Sequence, residues 1–194
     1  MRDFDVRLAV KAALAKKYAG DVRTRIVDEM GIWAGSARID IAVINGELTG
    51  YELKSDRDTL QRLDKQAELY NQVFDRVILV AATRHVDRIL ERVPAWWGVT
   101  VAESAGQHGS VHLRETRPPE LNPAIDALQV ARLLWRSEAL TVLAKHGLDK
   151  GFRTKRAELL AMRLAACLPM RTLCGEVRQT LKSRQGWLGE PVGN

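Results

Sequence analysis

From Ala37 to Ile44, apolar Ile39, Ile41 and Val43 alternate with Arg38, Asp40 and Ala42. That period of two is the signature of a strand. Asn45-Gly46 follows as a hairpin signal, and Leu48–Ser55 forms the next strand. Upstream, residues 3–18 carry Phe4, Leu8 and the stretch Lys11–Leu14 at helical spacing, stopped by Gly20. Residues 22–30 form a strand with imperfect alternation. Downstream, Leu60, Leu63, Ala67 and Tyr70 mark the buried face of a helix over 59–70, with Arg62, Asp64, Lys65 and Glu68 toward water. Arg76–Ala82 is a nearly continuous apolar run, as in strands covered on both faces. A short helix over 85–92 ends at Pro94. Val99–Ala102 and Ser110–Leu113 are short strands about a Gly-rich turn at 106–109.

The stretch 117–123, RPPELNP, breaks this pattern. Beyond it strand signals stop, and 123–145, 154–168 and 171–184 are predicted helices. The chain therefore divides into a core over 1–118 and a helical segment over 119–194. The order helix, strand, hairpin, helix, strand, helix implies an α/β fold, a mixed sheet with helices packed on it.

Composition narrows the function. The 194 residues suffice for one sizeable core and a small appendage. No apolar run approaches the roughly 18 residues of a membrane span. The opening MRDFDVRL lacks a signal-like apolar region. Cys167 and Cys174, without nearby histidine pairs, are expected to be buried free thiols in a reducing cytoplasm. The net charge of +6 lies wholly in residues 121–194, with 12 basic and 6 acidic side chains; residues 1–120 hold 18 of each. A basic tail beside a neutral core points to an anionic partner, DNA being the usual one.

Three residues do not suit a buried sheet: Asp40, and Glu52 and Lys54 in GYELKS. Glu52 and Lys54, two apart on one strand, share a face about 6.5–7 Å apart. With Asp40 across the hairpin, two carboxylates can share a divalent cation such as Mg²⁺, which lowers the pKa of bound water, while Lys54 orients that water or holds phosphate. The alternative is a structural ion pair. The geometry makes a demand. A two-residue turn sets Asp40 opposite Tyr51, away from Glu52. A three-residue turn over 44–46, with Gly46 left-handed, sets Asp40 opposite Gly50 and Arg38 opposite Glu52.

This constellation resembles the PD-(D/E)XK nuclease superfamily, with Asp40 as its strand-borne aspartate and Glu52-Leu53-Lys54 as its (D/E)XK element. Gln66 and Tyr70 resemble the Q-x-x-x-Y motif of its exonuclease-like branch. The longer pattern GxxRxDIAVxNGxLxGYExKSDxDTLxRLxxQxxxY is similar to a small bacterial family of uncharacterised proteins in that superfamily. The resemblance implies a restriction-endonuclease-like mixed sheet flanked by helices. It also implies catalytic roles for Asp40, Glu52, Lys54 and Gln66, and metal ligation by Asp40, Glu52 and an upstream acid, either Glu29 or Asp5. Mg²⁺ is the implied metal, with Mn²⁺ substituting.

Around this core, Arg38, Arg57, Arg62 and Tyr70, and in the tail Lys150, Arg153, Lys155 and Arg156, are candidate nucleic-acid contacts. Asp58 is expected to cap the following helix, His85 to cap or lie on the surface, and Trp96-Trp97 to pack at the sheet edge. The tail serves either DNA binding or dimerisation. The function expected is a metal-dependent deoxyribonuclease of the bacterial cytoplasm. The alternative is a nucleic-acid-binding accessory protein of repair or defence with a nuclease fold and little activity. A subunit of a larger repair or defence complex is a third reading, since the chain has no NTPase motif.

Overall fold

A computed structural model describes residues 1–33, 37–105 and 110–187. Its centre is a six-stranded mixed sheet in sequential order: β1 (Arg25–Ile32), β2 (Ala37–Ile44), β3 (Leu48–Lys54), β4 (Arg76–Ala82), β5 (Gly98–Ala105) and β6 (Ser110–Arg117). The first three strands pair antiparallel, β3–β4–β5 parallel, and β5–β6 antiparallel. This is the mixed α/β sheet expected from the sequence. The turn at 106–109 lies outside the described residues.

Helix α1 (Asp3–Lys17) covers one face, through Val6, Val10 and Leu14 against Ile41, Val43, Tyr51, Leu53 and Val80. Phe4 and Leu8, predicted to point inward, are 69% and 60% exposed. The buried stripe runs round from them, because valines at i and i+4 can sit against a pleated sheet more closely than a ring can. The other face is covered by α2 (Leu63–Tyr70), α3 (Val86–Leu90) and the tail helices α4 (Ala127–Ala131), α5 (Arg136–Lys145), α6 (Ala157–Cys167) and α7 (Met170–Ser183). Among the described residues the tail thus has four helices where three were predicted. Its Val130, Val142, Leu160 and Leu173 belong to the same apolar cluster as Tyr70, Phe74 and Trp97.

Asn122, in the boundary stretch, donates its side-chain amide to the carbonyls of Asn71 and Phe74 at the end of α2. Arg25 of β1 reaches the carbonyls of Lys182 and Arg184 at the end of α7. The tail is therefore stitched to the core at two distant places.

The β2–β3 hairpin runs through a three-residue loop, but over 45–47: Ile44 pairs with Leu48 and Ala42 with Gly50. The odd loop length predicted from the chemistry holds, displaced by one residue. Gly46 is not left-handed. Asn45 closes the turn instead, its side-chain oxygen accepting the Glu47 amide at 3.0 Å. The displacement removes Arg38 from Glu52, and Arg38 pairs with Gly31 of β1. Gly50 makes room not for the aspartate but for the core: a Cβ there would lie 3.1 Å from Phe74 Cε1 and 3.2 Å from Ile39 Cδ1. Gly50→Val should overpack this layer and lower stability by about 1–3 kcal/mol, read from the urea midpoint.

Candidate functional site

The alternation of β1 and β2 slips at a single place. Val27, Met30 and Ile32 all enter one core, and Ile39 and Ile41, two apart, enter opposite cores. The β1–β2 ladder skips Glu29 and Asp40, and Glu29 has φ 54. Beyond Ile41–Tyr51, β2 also stops pairing with β3. That leaves the buried Leu53 amide facing the departing strand, and Asp40 Oδ2 accepts it at 2.8 Å. Oδ1 accepts Arg7 Nη2 of α1 at 2.8 Å, and Arg7 Nη1 donates to the Asp40 carbonyl at 3.0 Å. Arg7 also grips Glu29 at 2.8 Å, and Arg38 holds Glu29's other oxygen at 2.7 Å. Nothing in the sequence marks Arg7, because only the docking of α1 brings it near the motif. Asp5, the other candidate acid, accepts the Arg2 amide at the start of α1.

Glu52 and Lys54 are 2% and 5% exposed. Lys54 Nζ donates to Glu52 Oε1 at 2.6 Å and to Gln66 Oε1 at 3.2 Å. Gln66 Nε2 reaches Glu52 Oε1 at 2.7 Å, and the Tyr70 hydroxyl lies 2.9 Å from Glu52 Oε2 and 2.8 Å from the Arg38 carbonyl. Gln66 and Tyr70 face the strand together because they are one helical turn apart. Glu52, Lys54, Gln66 and Tyr70, singled out from the sequence, thus meet in one place. Tyr70 is fully buried, stacked on Trp97 and edge-on to Phe74, so it does not face a ligand. Burial, and then the neighbouring Glu52 charge, push its hydroxyl pKa far up.

Asp40, Glu52, Lys54 and Gln66 form the floor of a cleft of about 1140 Å³ between the sheet and the tail. Its rim carries Arg62 and Lys65 from the core and Arg136 from α5; Trp33 and Trp135 also line it. Arg136 donates to the carbonyls of Arg153 and Lys155, which ties the basic α5–α6 loop to the cleft. Within that loop Lys150, Lys155 and Arg156 are exposed, and Arg153 pairs with Asp149. Much of the tail's remaining charge is structural. Arg184 is buried between Trp135 and Trp187 and bonded to Glu138, and Arg178 pairs with Asp75.

Other candidates have local duties. Asp58 does not cap α2; it accepts the Ser55 amide and hydroxyl at 2.8 and 2.6 Å. His85 is buried, its Nε2 3.1 Å from the Ser55 carbonyl. Trp97 is in the core with its indole N–H on Asn71, and Trp96 packs against it. Arg57 is exposed beside β3. Both cysteines are free thiols; Cys174 is buried as expected, but Cys167, at the end of α6, is exposed. Among the described residues no helix is long and apolar enough to cross a membrane.

The expected Mg²⁺ would meet acids that are already engaged. Every carboxylate oxygen of Asp40 and Glu52 already accepts a protein donor, and a cation on Asp40 would have to displace Arg7. Among the described residues no three or more His, Cys, Asp or Glu side chains converge as a metal cage.

A family model described as "Bacteriophage P4 protein cII" matches residues 3–186. "Protein cII" of Enterobacteria phage P4 is 29% identical over 167 residues, covering 85% of this chain and 62% of that protein, so the chain spans less than two thirds of the relative's length. A solved structure, "SPO1766 protein of unknown function from Silicibacter pomeroyi", superposes with a TM-score of 0.47 at 17% identity, covering 80% of this chain and 95% of that one.

The family match and the missing metal cage overturn the PD-(D/E)XK identification, the uncharacterised bacterial family and the Mg-dependent deoxyribonuclease, together with its hydrolase, endonuclease and metal-binding character. What remains of the fold expectation is the mixed sheet flanked by helices, without the restriction-endonuclease identity. The physical reason lies in the charges: Arg7, Arg38 and Lys54 supply from within the protein the positive charge that a metal would have brought.

This electrostatic closure should be visible in stability. Lys54→Met strands the buried Glu52 charge and should cost about 3–5 kcal/mol in a denaturant melt. Asp40 has its pKa raised from 3.8 to about 6, by burial first and then by the Glu52 charge, against the Leu53 amide and Arg7. A raised carboxyl keeps its proton longer folded than unfolded, so its contribution is most favourable below pH 4 and declines as pH rises to 6. Wild type should therefore lose on the order of 1–3 kcal/mol relative to Asp40→Asn between pH 4 and 6. Parallel stability curves for the two proteins would refute the assignment.

Proposed function

The chain belongs to the bacteriophage P4 protein cII family, and on that footing we propose that it is a nucleic-acid-binding protein that grips the sugar–phosphate backbone in its cleft, an accessory rather than an enzyme. The observation that carries the reading is the uncompensated charge on the rim. Arg62, Lys65 and Arg136 have no carboxylate partner among the described residues, while the acids of the floor are held by Arg7, Arg38 and Lys54. Through Arg136 the rim continues into Lys150, Lys155 and Arg156 on the α5–α6 loop. Such a line of cations, each releasing a condensed counterion on binding, gives affinity without reading base sequence. The helical segment over 119–194 acts in this reading as the second jaw.

The test is fluorescence anisotropy with labelled oligonucleotides at 50 and 200 mM salt, in Mg²⁺ and in EDTA. Binding should weaken steeply with salt and should persist in EDTA, because the cations of the rim hold phosphate without a metal. The double variant Arg62→Glu/Lys65→Glu should bind at least ten-fold more weakly at the lower salt, with a salt slope reduced by about one for each phosphate no longer held. Wild-type protein that fails to bind, or a charge-reversed variant that binds as well, would refute the reading.

A further inference from the structure

We infer that the strand held in the cleft is single, its bases stacked on Trp135 and Trp33; this rests on the nucleic-acid reading above and names its substrate class. Trp135 opens α5 at the cleft and is 49% exposed, an unusual amount of indole to leave in water. It is firmly backed. The Arg184 guanidinium lies 4.3 Å from the ring centroid and is fixed by Glu138 and the Leu133 carbonyl. Glu138 also accepts the Trp135 amide at 2.7 Å.

Trp33 is held against a steric penalty. Its φ is 48, a left-handed conformation that bulky residues rarely adopt. Its indole N–H donates to the Gln129 carbonyl at 3.0 Å, and Arg132 lies 5.5 Å from the ring centroid. Among the described residues the non-glycine positions with positive φ are Glu29 and Trp33, and both border this cleft. Backbone strain persists where surroundings over-determine it, and it gathers where a side chain must be aimed.

Backed aromatic faces beside a row of cations form a platform for unstacked bases. In a duplex the base faces are already stacked on one another, and a protein meets only their edges, usually by inserting a helix or ribbon into a groove. This surface is concave and offers faces. Phosphates would lie on Arg62, Lys65 and Arg136 and bases on Trp135 and Trp33, all of which line the same cleft.

The experiment compares oligo-dT, oligo-U and a DNA duplex of equal length on the full chain, by anisotropy and by tryptophan emission. Wild type should prefer a single strand by about ten-fold or more, with quenching; the dT and U arms tell DNA from RNA. Trp135→Ala should lose about ten-fold on the single strand, little on the duplex, and much of the quenching. Trp135→Phe, which keeps a ring, should retain the preference. Should Trp135→Ala melt early, Trp135→Leu keeps the apolar bulk without a π face and should show the same loss. Equal binding of single strand and duplex, unchanged in the Trp135 variants, overturns the inference and leaves nucleic-acid binding standing. Wild type that binds none of the three overturns both.

Discussion

A buried amide cannot go without an acceptor, and the Leu53 amide is the one on which this architecture turns. Where β2 leaves β3, no backbone carbonyl remains for it, and Asp40 supplies an oxygen. A carboxylate at that depth needs a counter-charge, and Arg7 brings one from α1. Arg7 can do so only because Val6, Val10 and Leu14 seat α1 on its face of the sheet. The slip in alternation at Glu29 and Asp40, the position of the first helix and the closed polar floor thus share a cause.

The same logic accounts for the mismatch between motif and function. Acids and a lysine in central strands invite a metal when read one after another along the chain. Folded, they gather into two sets of balanced formal charge, Asp40 and Glu29 around Arg7 and Arg38, and Glu52 around Lys54, Gln66 and Tyr70, near enough that Glu52 still raises the Asp40 pKa. Each set is satisfied from within. On the rim, Arg62, Lys65 and Arg136 have no carboxylate partner among the described residues, and the half-exposed Trp135 lines the same cleft.

Much of the fold was legible because its signals are local. The alternation of Ile39, Ile41 and Val43, the Asn-Gly turn and the Leu60–Tyr70 stripe each depend on near neighbours, and the mixed sheet followed from them. That Glu52 and Lys54 share a face was legible from the strand period, whereas Gln66 and Tyr70 were brought beside them only by the resemblance to a Q-x-x-x-Y motif. What stayed hidden was tertiary. Arg7 is an ordinary helical arginine until α1 docks, and Glu29's positive φ has no marker because glycine, its usual sign, is absent. Trp33 and Trp135, 102 positions apart, meet one cleft only because the tail helices fold back over the sheet. Likewise the +6 excess suggested a uniformly basic tail, whereas Arg184 and Arg178 have their charge engaged in packing.

The tie from Arg25 to the carbonyls of Lys182 and Arg184 spans most of the described chain. Synthesis proceeds from the N-terminus at about 5–20 residues per second, and early segments wait for late ones. The β1 edge, Trp33 and the cleft floor therefore emerge from the ribosome many seconds before the helices that roof them. Until those helices follow, whatever strands have paired leave uncovered the apolar face that the tail later meets. An apolar face left open in this way invites aggregation, and docking of the tail helices buries it.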